Sequence, residues 1–529
     1  MRTVPAPING IDSRVPLSAD NPNVCIYAIN LVPNEYGVRL RNGYREWQVG
    51  VDNGESTGVG TIIAYSDPET ETGQDKLFAV NNEGIWDVTI VGDTPQLVQP
   101  FPDTSTNAGF GQWIQYIDDG NNSYILYADS IYGLFRYIAA TDTWEQPTDI
   151  TGVAVEDIKS VMVHKLRVWF TVKSNTLGYY LPVNSQAGAC ETFNFGIKFQ
   201  HGGEIVGLYN WTVDGGIGVD DYLIVMSRAG DVLTYIGSDP TQPDWLTAGT
   251  YFVGQIATGA NCATDSGGNV SILSAYGITQ MSDLLRGVDP RLPNENSIGA
   301  AIAPFIREDM RIYLFENGWD IQYLSNEGVI IVVGPIRNDG TYRQYVYNLS
   351  VGGWGTYSNL EMRCVEQWRG VTYFADAKGR VLAMDVDKDN VLLTPQVQPR
   401  ARIPNGQEIE FSLLTSFNSL GFPAKFKRGK MIRADFLGAT KPTYTTKFKY
   451  DYDTSRIVGV VVPPSQDASI WDLAIWDQSV WESGDLVNWD SISGSWGTGR
   501  YLAVAIKGKG LTGTILASLD IFFDSGGGL

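Results

Sequence analysis

Two copies of one β-hairpin unit follow each other between residues 71 and 137, and this repetition constrains the fold most strongly. The first copy consists of the apolar runs Lys76–Val80 and Ile85–Thr89, and the second of Tyr124–Tyr127 and Leu134–Tyr137. Runs of β-branched and aromatic residues around Gly-, Asn- or Asp-containing turns predict hairpins. Because a single hairpin cannot bury its apolar face, the repetition predicts an array in which each unit covers the next.

Similar hairpins recur along most of the chain. Their predicted starts are Leu77, Tyr124, Arg167, Tyr222, Asn269, Gly328 and Gly370. Repeats of roughly 40 to 50 residues with four short strands each are typical of β-propellers. The sequence therefore predicts a β-propeller of about six or seven blades over residues 58–400. Within it, apolar residues at helical spacing predict one short inserted helix near 295–310, which Pro304 would bend or shorten.

The two flanking regions differ from the repeat. Residues 1–57 contain many prolines, which exclude a central strand at several points, so they predict an extended arm with a short edge strand at Val38–Arg41. Residues 401–529 are interpreted as a separate β-sandwich-like platform domain. Its predicted strands are Glu408–Leu414, Lys430–Phe436, Thr445–Tyr450, Tyr501–Ile506 and Thr514–Ile521. The whole chain is thus expected to be all-β.

The chain is strongly acidic, with 59 Asp and Glu residues and a formal net charge of −21. This charge argues against a protein that wraps nucleic acid through phosphate contacts. It is compatible with a conduit, because an acidic wall repels DNA and lets it slide past. The first residues lack the features of a secretory leader, and no apolar run approaches the roughly 20 residues of a membrane helix. We therefore expect a protein that is made in a cytosol and has no membrane span.

Residue types that usually carry catalysis are scarce. Only two histidines, His164 and His201, are present, so a catalytic triad or a histidine-rich metal site has little to build on. The four cysteines share no metal or redox spacing and are expected to be free thiols. The segment Gly508–Gly513 matches GxGxxG, but a strand follows it, so a hairpin turn is predicted. No catalytic residue and no cofactor is predicted.

Three carboxylates form the weak candidate for a metal site. Asp385, Asp387 and Asp389 lie on one side of an extended segment and resemble half of a calcium-binding loop. An EF-hand loop requires Gly at position 6 and Glu at position 12, where this chain has Asn390 and Gln396. A solvated acidic turn is the favoured interpretation, and a calcium site in the loop is the alternative.

Tryptophans are concentrated near the end of the chain. The cluster contains Trp471, Trp476, Trp481, Trp489 and Trp496. Their spacing does not match WD repeats, so they form either a compact local core or a hydrophobic anchor for another subunit. The candidate interface residues are Trp471, Trp476, Trp481, Trp489, Arg39 and Arg41.

Motifs in both flanking regions and in the helical segment together resemble one family. The motifs are Pro5–Pro7, Ala28–Asn34, Val38–Tyr44, Ser297–Ile302, Ile470–Asp477, Gly499–Ile506 and Asp524–Leu529. On these residues the chain is similar to the tail nozzle proteins of short-tailed bacteriophages. These are also called tail tubular B-type or packaged-DNA-stabilisation proteins.

The resemblance implies a structural function without catalysis. Nozzle subunits form a homo-hexameric ring below the adaptor, or head-to-tail connector, which retains the packaged genome and serves as the channel for DNA ejection. The arm and the last domain would build a platform against the adaptor, and tail fibres or tailspikes would be further partners. DNA would pass without sequence-specific binding. The expected location is the virion tail, with assembly in the host cytoplasm.

Two other functions stay open at this point. Aromatic and acidic loop residues also suit a tail-associated propeller that binds or cleaves carbohydrate, although no pair of carboxylates stands out in the sequence. An intracellular scaffolding propeller is a third, weaker hypothesis, since the proline-rich arm and the sandwich-like domain are unusual for it.

Overall fold

A computed structural model gives the fold. It describes residues 1–14, 21–54, 57–68, 74–214, 219–292, 297–392, 406–458, 487–494 and 497–528. The chain divides into two compact units. Unit 1 comprises Met1–Arg45, Arg343–Leu360 and Met384–Leu529, whereas unit 2 comprises Glu46–Tyr342 and Glu361–Ala383.

Unit 2 contains the blades of a six-bladed β-propeller arrangement, except for residues 43–45 and 384–386 of the sixth blade, which belong to unit 1. Each blade is an antiparallel sheet built mostly from consecutive strands. The first three blades consist of Thr61–Tyr65, Lys76–Val80, Gly84–Asp87 and Gln96–Pro100; of Gly111–Ile117, Ser123–Asp129, Gly133–Ile138 and Thr143–Glu145; and of Ile158–His164, Arg167–Val172, Leu177–Tyr180 and Glu191–Asn194. The last three consist of Ile205–Asp214, Val219–Ser227, Asp231–Ile236 and Leu246–Phe252; of Ala263–Asp265, Val270–Ser274 and Gly277–Gln280; and of Cys364–Trp368, Val371–Ala375, Val381–Val386 and Gly43–Gln48.

The predicted hairpins are present throughout the described part of unit 2. Each of the seven predicted starts lies within a strand or one residue before it. Six belong to the six blades. The seventh, Gly328, precedes Val329–Val333, which pairs with Trp319–Leu324, and Gly259–Asn261 runs parallel to that second strand. The predicted propeller of six or seven blades is therefore confirmed.

Some hairpin turns require glycine, because a side chain at that position would clash with neighbouring backbone. Gly133 connects two strands of the second blade with a φ of 84°. A Cβ at this position would lie 2.2 Å from the carbonyl oxygen of Val155. Both the left-handed backbone and the close approach require glycine here.

Two α-helices occur among the described residues, Met281–Leu285 and Ala303–Tyr313. The second is the predicted helix, and Pro304 lies in its first turn, where a missing N–H is tolerated. Pro304 thus shortens the helix, and residues 297–302 form turns instead. The shorter helix was not predicted. Short 3-10 helices at Ala139–Thr141, Val155–Asp157 and Phe195–Lys198, and paired strands at Ile150–Thr151 and Gly188–Ala189, complete unit 2. No helix in the described ranges is long and apolar enough to cross a membrane.

Unit 1 is one large, nearly barrel-shaped sheet whose two limbs meet at Gly353–Tyr357. From there, the first limb continues through Leu31–Asn34, Gly37–Leu40, Ile515–Gly528, Lys425–Gly438 and Val487–Gly494. The second continues through Cys25–Ile29, Ile409–Thr415, Leu502–Gly510 and Thr443–Tyr450. Smaller strands at the margins are Arg2–Pro5, Gln344–Asn348 and Thr498–Gly499. All five strands predicted in the last domain are present.

The limbs of unit 1 face each other like the layers of a sandwich. Phe436 of the first limb packs against Phe411 and Tyr444 of the second, with ring centroids 6.0 and 4.7 Å apart. Such interdigitation of inward side chains is how two sheet layers form a shared core. The predicted all-β class, with a sandwich-like element beside a propeller, is confirmed.

The first residues of the chain form strands of this sheet. Arg2–Pro5 pairs antiparallel with the stretch Ser518–Ile521 of the strand Ile515–Gly528. The predicted edge strand appears as Gly37–Leu40, but it has neighbours on both sides, so it is not an edge. Unit 1 also includes Arg343–Leu360, which lies in the sequence range assigned to the propeller. The expected domain boundaries near 57 and 400 stay predictions.

Candidate functional site

Hydrogen bonds inside unit 2 join blades that are not neighbours. Gln112, in the first strand of the second blade, donates from Nε2 to Tyr209 Oη of the fourth blade at 2.8 Å. The next residue, Trp113, donates its indole N–H to Glu366 of the sixth blade. Blades surround a central axis, so side chains that join blades separated by one other blade lie toward the interior of the ring. We define Gln112, Trp113, Tyr209, Glu366 and Asp320, which interacts electrostatically with Glu366, as the axial cluster.

Two carboxyl groups lie in the axial cluster. Asp320 is only 3% exposed and accepts a hydrogen bond from Asn261 Nδ2 at 3.2 Å. Glu366 accepts one from the backbone N–H of Gln367 at 2.9 Å and keeps part of its side chain accessible. Within the described ranges neither carboxyl has a lysine or arginine as ion-pair partner. Their charged forms are therefore stabilised by dipoles alone.

This environment shifts both acids toward neutrality. Burial raises the pKa of Asp320 to about 7, although its hydrogen bond with Asn261 opposes the shift. Burial also raises the pKa of Glu366 to about 8, and the nearby Asp320 charge adds to that increase. The two groups titrate as a pair near neutral pH. Chemically, such a pair can take up and release protons near neutral pH.

Two hydrogen bonds of Tyr209 hold the axial cluster together. Tyr209 Oη accepts a second hydrogen bond, from the backbone N–H of Cys262 at 3.1 Å. Tyr209 therefore connects the second blade directly to the fourth and to the segment that leads into the fifth.

Two of the three candidate metal carboxylates are held by arginines in unit 1. Arg41 donates to both oxygens of Asp389, at 2.7 and 2.6 Å. Arg45 donates to both oxygens of Asp385, at 2.8 and 2.7 Å. Asp387 accepts a backbone hydrogen bond at its main-chain oxygen. Across the described ranges, no three His, Cys, Asp or Glu side chains are grouped to hold a metal ion. Asp389 is buried rather than solvated, which differs from the favoured interpretation of this turn.

The two candidate interface arginines of the arm have opposite environments. Arg41 has a side chain that is 0% exposed, and its guanidinium also donates to Asn30 and lies over the Tyr357 ring. It has no surface with which to contact a second molecule. Arg39 is exposed and donates to Asn42 Oδ1 at 3.2 Å. Arg39 therefore stays available for a partner, whereas Arg41 supports the sheet from within.

Most of the tryptophan cluster cannot be placed. Trp471, Trp476 and Trp481 lie outside the described residues, as does Trp496. Trp489 belongs to the strand Val487–Gly494, but its side chain is outside the described part. The two interpretations of this cluster, local core or anchor, stay open.

The scarce reactive residues are used structurally. His164 is buried with Nδ1 2.7 Å from Asn210 Oδ1, and burial lowers its pKa. His201 lies 2.7 Å from an oxygen of Asp231. All four cysteines are free, and three of them are buried. The GxGxxG match spans the end of the strand Leu502–Gly510 and the turn before Ile515–Gly528. These two strands pair with other strands and not with each other, so the predicted hairpin at this turn is wrong.

Sequence reasoning did not find the axial cluster. The available signal is an acidic residue inside a mostly apolar strand, as with Asp320 in Trp319–Leu324 and Glu366 in Cys364–Trp368. Charged residues are rarely buried unless paired, so each was worth marking. Which strands meet across the axis is not readable from one sequence.

Comparison with known proteins gives fold-level likeness only. No protein-family model and no curated protein matches the chain. Among solved structures, it is similar to the extracellular domain of the hybrid two component system BT3049 from B. thetaiotaomicron, at 11% identity and a TM-score of 0.41. That match covers 91% of this chain and 62% of the extracellular domain. This chain therefore spans less than two thirds of the length of the extracellular domain.

Two further matches cover about two thirds of this chain. BBS1N in complex with ARL6DN has 11% identity and a TM-score of 0.40, covering 65% of this chain and 97% of that one. YCF48 bound to D1 peptide has 12% identity and a TM-score of 0.37, covering 65% and 94%. None of the three is a phage tail protein. At these TM-scores the likenesses carry no argument about function.

Proposed function

We propose that this protein is the subunit of a homo-hexameric tail nozzle of a short-tailed bacteriophage. The ring would lie below the adaptor, retain the packaged genome and form the channel for DNA ejection. The observation that carries the proposal is the composition of unit 1. Arg2–Pro5 and Gly37–Leu40 both pair with the strand Ile515–Gly528, so the first and last residues of this chain share one sheet. The family resemblance implies such a platform.

The proposed channel lies between subunits and not inside one propeller. In support of this, the axial cluster joins the second blade directly to the fourth and to the sixth, so side chains occupy part of the interior of the ring. A ring of several chains supplies a wider opening between them. The net charge of −21 suits the wall of that opening, since an acidic wall does not hold the phosphate backbone.

The proposal assigns partners by role. Unit 1 would contact the adaptor and the neighbouring copies, and tail fibres or tailspikes would bind elsewhere on the ring. DNA would pass without sequence-specific contacts. The protein would function in the virion tail after assembly in the host cytoplasm, and it would have no enzymatic activity.

Ring formation is the direct test. A hexamer of the 58.1 kDa chain has a mass of about 350 kDa, which mass photometry distinguishes from the monomer. Negative-stain images should show six-fold rings, and genes for a portal, an adaptor and a terminase should lie beside this one. A chain that stays monomeric, alone and with an adaptor ring, would refute the proposal.

A carbohydrate-cleaving propeller is the second candidate. The observation in its favour is the pair of carboxyls with raised pKa, Asp320 and Glu366. Burial of Asp320 speaks against it, because a sugar must reach both groups. Release of reducing ends from host polysaccharide, abolished in Glu366→Gln, would support this function over the nozzle.

A further inference from the structure

Unit 1 carries a basic and aromatic surface although the chain as a whole is strongly acidic. Residues 411–434 contain no Asp or Glu, in a chain with 59 acidic and 38 basic residues. The exposed residues at the start of the strand Lys425–Gly438 and beside it define this surface, which we call the basic face. It consists of Phe422, Lys425, Phe426, Arg428, Lys430 and Arg500.

A buried lysine holds the basic face in place. Lys427 is 0% exposed, and its Nζ donates to the main-chain oxygens of Phe422 at 2.7 Å, Lys425 at 3.0 Å and Arg500. Successive residues of a strand point to opposite sides. With Lys427 fixed inward, its neighbours Phe426 and Arg428 are directed outward. The backbone of the face is therefore preorganised.

Cations and rings are already paired on this face. Lys425 Nζ lies 5.5 Å from the ring centroid of Phe422, and the Arg500 guanidinium carbon lies 5.3 Å from that of Phe426. The two rings are nevertheless 42% and 40% exposed. Such pairing restricts long side chains before binding, so less conformational entropy is lost when a partner covers them.

The chemistry of the face fits a protein partner better than a polyanion. Arginine and exposed phenylalanine are typical of the centres of protein interfaces. Lys430 is also bound to the carboxylate of Asp524 at 2.7 Å, and this negative charge within the face disfavours a phosphate backbone. An acidic protein surface complements the cations of the basic face.

We propose that the basic face docks against an acidic surface of a second copy of this chain. The inference rests on the proposed ring and specifies one side of its subunit contact. A copy with a net charge of −21 attracts a basic face through charge complementarity. The face would meet a different, acidic surface, which makes the contact heterologous. Heterologous contacts generate a ring when the rotation between subunits closes.

Charge reversal with a matched control tests the proposal. Lys425→Glu with Lys430→Glu changes the basic face, and Lys441→Glu with Lys447→Glu changes two exposed lysines elsewhere in unit 1. Both double variants shift the net charge from −21 to −25. Mass photometry of the full chain at about 50 and about 500 mM NaCl measures assembly.

We expect the face variant to weaken assembly by roughly tenfold or more at low salt, because attraction becomes like-charge repulsion. The control variant should assemble like the unaltered protein. Equal assembly of both variants would overturn the inference while leaving the nozzle proposal intact. Equal loss in both would also overturn it, since total charge would then be the cause. An unaltered chain that never assembles would instead count against the nozzle itself.

Two further measurements keep the proposal testable if the face variant misfolds or if the true partner is a nucleic acid. Carbodiimide cross-linking of mixed light and heavy-isotope unaltered protein should give mixed-isotope links from Lys425 or Lys430 to carboxylates of another copy. Such links from Lys441 or Lys447 alone would overturn the inference. Binding of a labelled DNA duplex that the face variant loses, with assembly unchanged, would assign the face to nucleic acid and overturn it too.

Discussion

Replacing Asp320 by Asn and Glu366 by Gln should flatten the pH dependence of folding stability. A carboxyl whose pKa is higher in the folded than in the unfolded chain binds its proton more tightly when folded. The contribution of such a carboxyl to folding stability is fully present below its pKa in the unfolded chain. It is lost as pH rises through its pKa in the folded chain. For Asp320 this window runs from 3.8 to about 7, and for Glu366 from 4.5 to about 8. The unaltered protein should therefore lose stability between about pH 5 and pH 8 through these two groups.

The size of the effect follows from the shift. One pKa unit corresponds to about 1.4 kcal/mol of unfolding free energy. The raised pKa of Asp320 alone can therefore change the stability by at most about 4 kcal/mol. The two acids interact, so their contributions do not simply add. We expect the difference in free energy of unfolding between about pH 5 and pH 8 to shrink by roughly 1–3 kcal/mol in the double variant.

Urea unfolding followed by tryptophan fluorescence at a series of pH values measures this difference. Asp221→Asn is the control, because the hydrogen bond from Lys165 at 2.8 Å lowers the pKa of Asp221. A lowered pKa contributes stability above the unfolded value, which is lost only in acid, so this variant should keep the slope between pH 5 and pH 8. If the double variant showed the same pH dependence of unfolding free energy as the unaltered protein, the pKa values of Asp320 and Glu366 would not be raised in the folded chain.

Three further changes test the packing described above. Arg41→Ala leaves Asp389 buried without its counter-charge and should cost roughly 3–5 kcal/mol of unfolding free energy, measured by thermal or urea unfolding. Gly133→Ala places a Cβ against the Val155 carbonyl and should cost more than about 1 kcal/mol beyond the left-handed backbone strain alone. With a thiol reagent, at most Cys190 should react in the native protein, and slowly, because burial raises its pKa to about 11 while the other three cysteines are buried. Matched controls are Arg39→Ala, at an exposed position, and Gly340→Ala, at a positive φ with open space. An Arg41 variant as stable as its control, an equal cost at both glycines, or rapid reaction of several thiols would each contradict the structure.

Local signals explain why the hairpins could be predicted from the sequence. Each depends on a turn glycine and on two short apolar runs beside it, as at Gly133. Helical spacing likewise predicted the helix near 295–310, although its start at Ala303, with Pro304 in the first turn, was not predicted. These features involve residues a few positions apart, which is the range that a sequence pattern covers.

Long-range contacts explain what the sequence could not predict. The alternation Val38–Arg41 places Arg39 and Arg41 on one face of a strand, but the strand ends at Leu40, so Arg41 leaves the pattern. Its counter-charge, Asp389, is 348 positions away in the sequence. The axial cluster has the same origin, since closure of the ring decides which first strands face each other.

The difference between local and distant pairing also bears on assembly. The first five blades pair strands that follow closely in sequence, so they can form stepwise as the chain emerges, whereas the sixth needs Gly43–Gln48 beside Val381–Val386. Unit 1 cannot, because Arg2–Pro5 needs the stretch Ser518–Ile521 as its partner. The strand that carries the basic face pairs with the same late segment, Lys427 opposite Ser525. Contacts of such high sequence separation form slowly. The proposed subunit contact would therefore exist only on complete, folded chains, which keeps unfinished chains out of a ring.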